Sequence, residues 1–567
     1  MTDNKELTGY PSIDKPWLKY YSEEEINKPL PNKTLYESAW DNNKDHLSDV
    51  ALRYYGTTIT YGVLFKSIKQ TAAAFYDMGI RAGDIVTIMS MQTPETIYAI
   101  YALNYIGAIS NIVFMTLSED EVVEKVNKTN SKAFLILDVA LNRLITLRSR
   151  LQIPIIVLSV SDSMPLLIRF AYNLKNAVNK NGILEFKKMI NDVLDTPPIS
   201  KNFSAPAVIV YTSGSTGEPK GVVLTNKSMN AHASQETIDM YSIKRGVSVL
   251  LIVPPFVGFG ITKLHVAINA GLDISLWIDL QPEAIVKAFF KTSPELFVAG
   301  PALIETFLRH KPKKLSKLKI FVGGGGGITE EKEEEFNAFL HSCQTDCIYA
   351  NGYGMTEAGS TLCGSSNTIH KIGSVGIPLT KANVKVIDTD NEKELTYCKV
   401  GELCFDTPDM MAGYYNDKES TENMFLIDSE GTKWLRTGDL GYVDEDGFVY
   451  IKGRIKRIYI TLGEDGNAYK LFPLRIEKVL GSCKGVGECA VIAKKIENGN
   501  NIPIAFVTID ENLKQKEVMD NIREKCQKEL STHEQPKSVI VVDSMPFTPS
   551  GKVDYQTLEK MAKEQTR

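Results

Sequence analysis

A chain of 567 residues exceeds the size at which one hydrophobic core stops growing, so at least two domains are expected. Hydrophobic residues make up 43% of it and charged residues 23%, the ordinary proportions of a soluble globular protein. A net charge of −5 with signs mixed along the chain speaks against a nucleic-acid surface or an acidic tail.

The opening Met-Thr-Asp-Asn-Lys-Glu has no basic segment leading into an apolar core, so no secretory signal is expected. No apolar run approaches the roughly 20 residues of a membrane span. All eight cysteines lie between Cys343 and Cys526 without paired C-x-x-C spacing. They read as reduced, mostly buried thiols of a cytoplasmic protein.

Up to about Pro31 the residues show no sustained period and are expected to wrap the surface. Residues 61–78 then place Leu64, Ile68, Ala72 and Phe75 on one helical face, with Gly79 as the stop. A buried strand is expected at 85–89. Thr93-Pro94-Glu95 starts a helix with a capping hydroxyl, a proline in the first turn and an acid. It runs to about Ile106 and leads into a strand at 108–114. The alternation of strand, helix and strand argues for a layered α/β domain. Residues 161–180 carry a stripe of Leu167, Phe170, Leu174 and Val178 with Arg169, Lys175 and Lys180 off it. Such a basic amphipathic helix can lie on a membrane. The commoner arrangement, a surface helix packed on its own domain, is the expectation here, and no stable membrane insertion is expected.

The apolar run 207–210 enters Tyr211-Thr-Ser-Gly-Ser-Thr-Gly-Glu-Pro-Lys220-Gly221, and 222–224 leaves it, which reads as strand, exposed loop and strand. Gly214 and Gly217 permit backbone angles that aim several N–H groups at one anion. Thr212, Ser213, Ser215 and Thr216 add hydroxyls, and Lys220 adds a fixed positive charge. The loop reads as a phosphate cradle, although a Ser/Gly-rich surface hairpin has the same composition. It is not the usual nucleotide loop, which needs Gly-Lys followed by Ser or Thr.

TSGSTGEPKGVVLT is similar to the signature of the adenylate-forming superfamily of acyl-CoA synthetases, peptide-synthetase adenylation domains and luciferases, and the resemblance extends over nearly the whole chain. It implies a multidomain α/β protein. A large N-terminal domain (1–453) would combine layered α/β subdomains with a β-rich one, and a hinge at 454–456 would carry a small mobile C-terminal α/β lobe (457–567).

Asn226 can cap a helix through Ala231 and Thr237. Residues 249–260 read as an apolar strand broken by prolines and followed by a glycine-containing turn. The resemblance makes this the wall of the acyl pocket, with Phe256, Val257 and Gly258, and with Gly326 from a later glycine run. Adenylation domains for α-amino acids resemble one another in an Asp here. Phe256 and Val257 offer no acid, and an unpartnered buried ammonium costs several kcal/mol, which disfavours an amino-acid substrate.

A strand at 319–322 runs into five glycines, 323–327. Ile328 breaks G-x-G-x-x-G, so a dinucleotide fingerprint is not supported. Bare backbone does admit a flat ring, and the resemblance puts adenine against Gly324 and Gly325. In the following Asn351-Gly352-Tyr353-Gly354-Met355-Thr356-Glu357, Tyr353 can stack on adenine, Thr356 can bond a phosphate and Glu357 can hold Mg²⁺. The resemblance includes Asn351, Gly352 and Gly354 in the same nucleotide site.

From 373 to 450 the chain is β-rich, with Asp446-Gly447 marking a hairpin. Trp434-Leu-Arg-Thr-Gly-Asp439 is similar to the family's ribose-binding segment, where a carboxylate accepts from both hydroxyls. Arg454 would be a second ribose contact, and Lys456 matches the residue on which the small lobe swings. Strands at 487–493, 502–509 and 539–542 with a helix at 514–529 suffice for a compact lobe. It ends in Pro546-Phe-Thr-Pro-Ser-Gly-Lys552-Val-Asp, close to the family's catalytic-lysine motif.

The resemblance therefore implies an AMP-forming acid–thiol ligase. A carboxylate attacks the α-phosphate of ATP with Mg²⁺ on Glu357, pyrophosphate leaves, and Thr212, Glu357 and Lys552 carry the step by positioning and charge neutralisation. CoA is the expected thiol, with a separate phosphopantetheinyl carrier protein as runner-up. Residues 460–473, facing the thiol channel, run a few residues longer than is usual. The expected acid is apolar, with fatty acids ahead of aryl acids. A non-catalytic nucleotide sensor is the reading of another class, and the presence of both Lys552 and Glu357 counts against it.

Overall fold

A computed structural model describes residues 7–175, 183–190, 197–212, 219–463, 467–496, 500–510, 513–548 and 552–564. The near-continuous apolar runs at Ile85–Met89 and Ala133–Leu137 are buried throughout, as parallel strands covered on both faces require. They lie within an eight-stranded sheet. Its order is Gly413–Tyr414, Gly221–Thr225, Pro206–Tyr211, Ile109–Ile112, Ile85–Met89, Ala133–Leu137, Ile155–Leu158, Leu184–Glu185. All pairings are parallel except the two that involve Gly221–Thr225.

A second sheet of seven strands runs Tyr349–Ala350, Ile320–Gly323, Leu296–Ala299, Ser248–Leu251, Asp273–Leu276, Val50–Tyr54, Thr57–Thr60. Gly352–Met355, Ser360–Gly364 and Ile377–Pro378 form a small sheet, and a five-stranded one is built on Lys433–Val443. Toward the C-terminus a hairpin of Tyr459–Leu462 and Ala468–Leu471 precedes a three-stranded sheet of Val486–Lys495, Asn501–Ile509 and Ser538–Val541. The buried clusters of this last part, within 471–562, share no residue with the large core that extends from Trp17 to Val449. The eight cysteines are free, and all but Cys398 and Cys489 are buried.

Local signals placed many elements. Thr60 caps Tyr61–Asp77 and Thr93 caps Pro94–Ile106, each accepting an N–H three residues on. Gly447, at φ 95°, turns the Asp446-Gly447 hairpin.

The opening stretch runs over the surface in short helices and anchors there by burying Trp17 completely. Three expectations need correction. The helix expected to be capped by Asn226 is capped by Thr225. Asn226 instead accepts from the Leu35 N–H at 3.0 Å and the Asn104 amide at 2.7 Å, tying three segments together. Residues 249–260 split into a strand, Ser248–Leu251, and the opening of a helix, Gly258–Asn269. Finally, the stretch around 161–180 forms the helix Leu166–Lys175, whose stripe does not pack on the protein: Leu167 is 86% exposed and Phe170 67%. Val178 and Lys180 lie outside the described residues.

Candidate active site

Strands Pro206–Tyr211 and Gly221–Thr225 pair up to Tyr211 opposite Gly221. Two bonds then close the base of the loop between them: Thr212 N–H donates to the Lys220 carbonyl at 3.0 Å, and Lys220 N–H donates to Thr212 Oγ1 at 3.1 Å. Ser213, Gly214, Ser215, Thr216 and Gly217 lie outside the described residues. The Lys220 ammonium bonds Ser420, lies 3.9 Å from Asp417 and sits 5.1 Å from the centre of the Tyr414 ring. Tyr414 in turn donates to Glu357 Oε1 at 2.7 Å. One side chain thus joins Lys220 to Glu357. No local pattern announces Tyr414, which arrives because Gly413–Tyr414 adds to the edge of the same sheet, Gly413 opposite Val223.

Tyr353, on Gly352–Met355, donates its hydroxyl to Asp439 Oδ2 at 2.5 Å. Arg454 Nε meets the other carboxylate oxygen at 2.8 Å, since Asp439 and Arg454 are partners in one antiparallel ladder. Burial raises the Asp439 carboxyl above its usual range, opposed chiefly by Arg454 and then by Tyr353 and Lys552. The glycines around it are needed for space. A Cβ on Gly354 would lie 1.6 Å from the Ser360 carbonyl, and one on Gly352 would lie 3.2 Å from those of Cys363 and Gly323. Asn351 is buried, and its amide bonds the Ser374 carbonyl at 3.3 Å.

Thr356 packs on the first turn of Gly258–Asn269, where a Cβ on Gly258 would come within 2.6 Å of its methyl group. Val257 is half-buried and immediately precedes this helix. Phe256 turns into the core, edge-on to Phe114 at 5.5 Å. Phe259, which sequence reasoning did not single out, is the ring over Gly324, 3.6 Å from where a Cβ would stand there. Gly325 adopts φ 84° with open space around it, and Gly326 lies against Pro301.

Beneath Phe259 lies a buried ionic cluster. Lys263 bonds Glu236 and, at 3.0 Å, Thr361. His232 lies 3.3 Å from Glu236 and 3.1 Å from Asp409, and Gln235 donates to Asp409 at 2.7 Å. Burial alone would raise Glu236, but Lys263 and His232 bring it down to about 2. Burial would lower His232, yet its two carboxylates raise it. Two basic side chains, Lys263 and His232, thus face two carboxylates, Glu236 and Asp409, while burial lowers the lysine and raises Asp409. The cluster has no local sequence signature, because its members come from two helices and a distant loop.

Lys552 comes from the far end of the chain. Thr548 N–H donates to the Lys552 carbonyl at 2.7 Å and Lys552 N–H to Thr548 Oγ1 at 3.2 Å, which ties Lys552 to Thr548. Its ammonium lies within electrostatic reach of Arg454, Glu357 and Asp439. Desolvation lowers its pKa most and Arg454 lowers it further, against Glu357 and Asp439, although the residue itself is exposed. Water still reaches the side chain, which limits the first effect. Lys456 lies in the 3₁₀ turn Ile455–Arg457, just after Arg454.

Glu357, Asp439, Arg454 and Lys552 therefore converge, with Tyr353 bonded to Asp439 and Thr212 and Lys220 linked to Glu357 through Tyr414. Among the described residues no group of three or more His, Cys, Asp or Glu could hold a metal ion. A lone carboxylate such as Glu357 suits Mg²⁺, which usually keeps waters and substrate phosphates as its other ligands.

Residues 39–415 match the family model of the AMP-binding enzymes, and 475–552 match that of the AMP-binding enzyme C-terminal domain. A long-chain-fatty-acid–CoA ligase of Bacillus subtilis (strain 168) is 27% identical over 563 residues, covering 95% of this chain and 96% of its own length. The 4-coumarate–CoA ligase 2 of Oryza sativa subsp. japonica is 27% identical over 516 residues, 88% and 86% of the two chains. Among solved structures, the anthranilate CoA ligase AuaEII in complex with anthranoyl-AMP superposes with a TM-score of 0.82 at 19% identity, over 95% of this chain and 99% of that one.

Proposed function

The chain belongs to the AMP-binding enzyme family, and from that premise we propose that it activates an apolar carboxylic acid with ATP and passes the acyl group to the thiol of CoA. The observation that supports this most is the convergence of Glu357, Asp439, Arg454 and Lys552. It assembles charges of both signs where two anions would have to meet.

In this reading the loop based on Thr212 and Lys220 holds the β- and γ-phosphates, with Lys220 leaving Ser420 to do so. Asp439 exchanges its bond from Tyr353 for the ribose hydroxyls, Arg454 steadies it, and adenine lies between Tyr353 and Gly324–Gly325. Glu357 would hold Mg²⁺, which would supply positive charge to the phosphates. Lys552 screens the attacking carboxylate and the leaving oxygen. A carboxylate–phosphorus bond forms as the α–β phosphoanhydride breaks, so pyrophosphate leaves. The thiol sulfur then displaces AMP from the acyl carbon. We place the large domain at 1–453, the hinge at 454–456 with Lys456, and the small domain at 457–567. The separate buried cores support that division.

For the acid, Val257 and Phe259 offer apolar surface. Glu236 is already engaged by Lys263 and His232, so the nearby carboxylate has no charge to spare for an ammonium. A second anion would unbalance the cluster. Both arguments favour an acid uncharged at its far end, with fatty acids ahead of aryl acids. Each buried methylene should contribute roughly 0.8 kcal/mol, close to fourfold in specificity, until the pocket is full.

The test is a chain-length series of saturated acids, with aryl and amino acids included, run once with CoA and once with a phosphopantetheinyl carrier protein. Catalytic efficiency that climbs with chain length in the CoA series supports the reading. Strong turnover of one aryl or amino acid with a flat aliphatic response contradicts the acid assigned. Thioester on the carrier alone contradicts the acceptor.

A further inference from the structure

Three residues after Arg454, which is fixed to Asp439 at 2.8 Å, a second arginine is fixed to the other side of the proposed hinge. Arg457 Nη2 donates to Glu477 Oε1 at 2.7 Å and to the Val491 carbonyl at 3.0 Å, while Nη1 donates to the Tyr555 hydroxyl at 2.8 Å. Glu477 Oε1 also accepts from the Val491 N–H at 2.8 Å and from the Tyr555 hydroxyl at 3.3 Å. Only Ile455 and Lys456 stand between the two anchors. A rotation there breaks neither, because the partners of Arg454 and Arg457 lie on opposite sides of it.

The C-terminal sheet sets what Arg457 joins. Side chains alternate across a strand, so Val491, Ala505 and Val507 pack on one face and Ala490, Ile492, Ile504 and Phe506 on the other. Helix Pro473–Gly481, which carries Glu477, covers the first face, and helix Tyr555–Glu564 covers the second. Arg457 ties both helices to the strand between them, as a planar cation with five donors can and a lysine's point charge cannot. Tyr555 follows Lys552 by three residues. That connection is held by a bridge between Phe547 and Val553, by the Asp554 N–H on the Pro546 carbonyl at 2.8 Å, and by the two bonds between Thr548 and Lys552. We propose that Arg457 is a positioning residue for Lys552, on the role given to that lysine above. It fixes the Lys552–Tyr555 segment to the chain just past the pivot, so that rotation is confined to Ile455–Lys456 and the lysine meets the reacting anions at a set place. Apolar packing already covers both faces of the sheet, and what the clamp adds is the alignment of the second helix with the pivot.

The experiment compares the full-length wild type with Arg457→Met, Arg457→Lys and Tyr555→Phe by two readouts. The first, amide hydrogen exchange followed by mass spectrometry, depends on no reaction. In Arg457→Met the peptides carrying the Thr548, Lys552 and Asp554 amides should exchange about tenfold faster, while helix Gln515–Glu529, outside the clamp, keeps its protection. The second takes the half-reactions apart with an apolar acid. In Arg457→Met, pyrophosphate exchange should fall about tenfold to a hundredfold in kcat with KM for ATP within about twofold. Thioester formation from supplied acyl-adenylate should stay within about threefold. Tyr555→Phe keeps the pair of Arg457 with Glu477 and should show the same pattern at smaller size, and Arg457→Lys should recover part of the loss. Faster hydrogen exchange throughout the C-terminal sheet and its helices, unchanged exchange at Thr548, Lys552 and Asp554, or equal losses in both half-reactions would overturn the proposal. A wild type that exchanges no pyrophosphate with any acid would contradict the ligase reading instead, and hydrogen exchange would still decide the clamp.

Discussion

Lys552 and Glu95 show what a residue's sequence context does and does not reveal. Lys552 stands out because Pro-Ser-Gly-Lys-Val-Asp is a pattern, and its ammonium feels the charges of Glu357 and Asp439. Lys552→Ala should abolish adenylate formation while sparing thioester formation from supplied acyl-adenylate, because screening two anions matters only in the first step. Measuring both half-reactions checks this, and equal loss in both would assign Lys552 another task. Glu95 was legible only as an acid in a helix's first turn. It is in fact buried, with Oε1 accepting from Ser163 at 2.5 Å and Oε2 without a partner. Burial pushes its carboxyl up to about 7, with Asp162 adding and Ser163 opposing. A raised carboxylate favours folding below its unfolded value of 4.5, and that contribution is lost as pH climbs through about 7. Glu95→Gln should therefore gain about 3 kcal/mol on the wild type between pH 4.5 and pH 8. Denaturant titrations across that range would show parallel stability curves if the account were wrong.

At the scale of elements, the period of side chains identifies helices and central strands, and in the run 249–260 it finds the strand but not the helix that follows. Its apolar residues suit a strand, and only the packing shows why a helix begins at Gly258. A Cβ at Gly260 would stand 2.0 Å from the Pro254 carbonyl, so glycine is what lets the chain fold back and start the helix. Backbone cannot yield as a side chain can. Gly260→Ala should cost about 1–3 kcal/mol in urea unfolding. Gly327→Ala, which meets nothing within 4 Å, should stay within about 0.5 kcal/mol of the wild type. Equal effects at the two positions would contradict this picture. The five glycines look alike in sequence, and the neighbours that distinguish them, Tyr349, Phe259 and Pro301, come from other segments.

At the scale of the whole molecule, what sequence patterns could not carry is the meeting of distant pieces. The motifs pick out separate segments, but Tyr414, which joins Lys220 to Glu357, and the cluster of Glu236, Lys263, His232 and Asp409 depend on sheet order and helix packing. Glu236→Gln leaves Lys263 and Asp409 buried with their balance broken. Such a loss typically costs about 3–5 kcal/mol, and thermal or urea unfolding would measure it. An unchanged midpoint would mean that the cluster is not held as the structure has it. The central claim is that this chain joins a carboxylate to AMP before any thiol takes part. The most direct measurement is acid-dependent exchange of labelled pyrophosphate into ATP with Mg²⁺ and without CoA. The account predicts exchange with an apolar acid, none without acid, and none in Lys552→Ala. Formation of ADP and inorganic phosphate in place of exchange, or exchange that requires CoA, would contradict it.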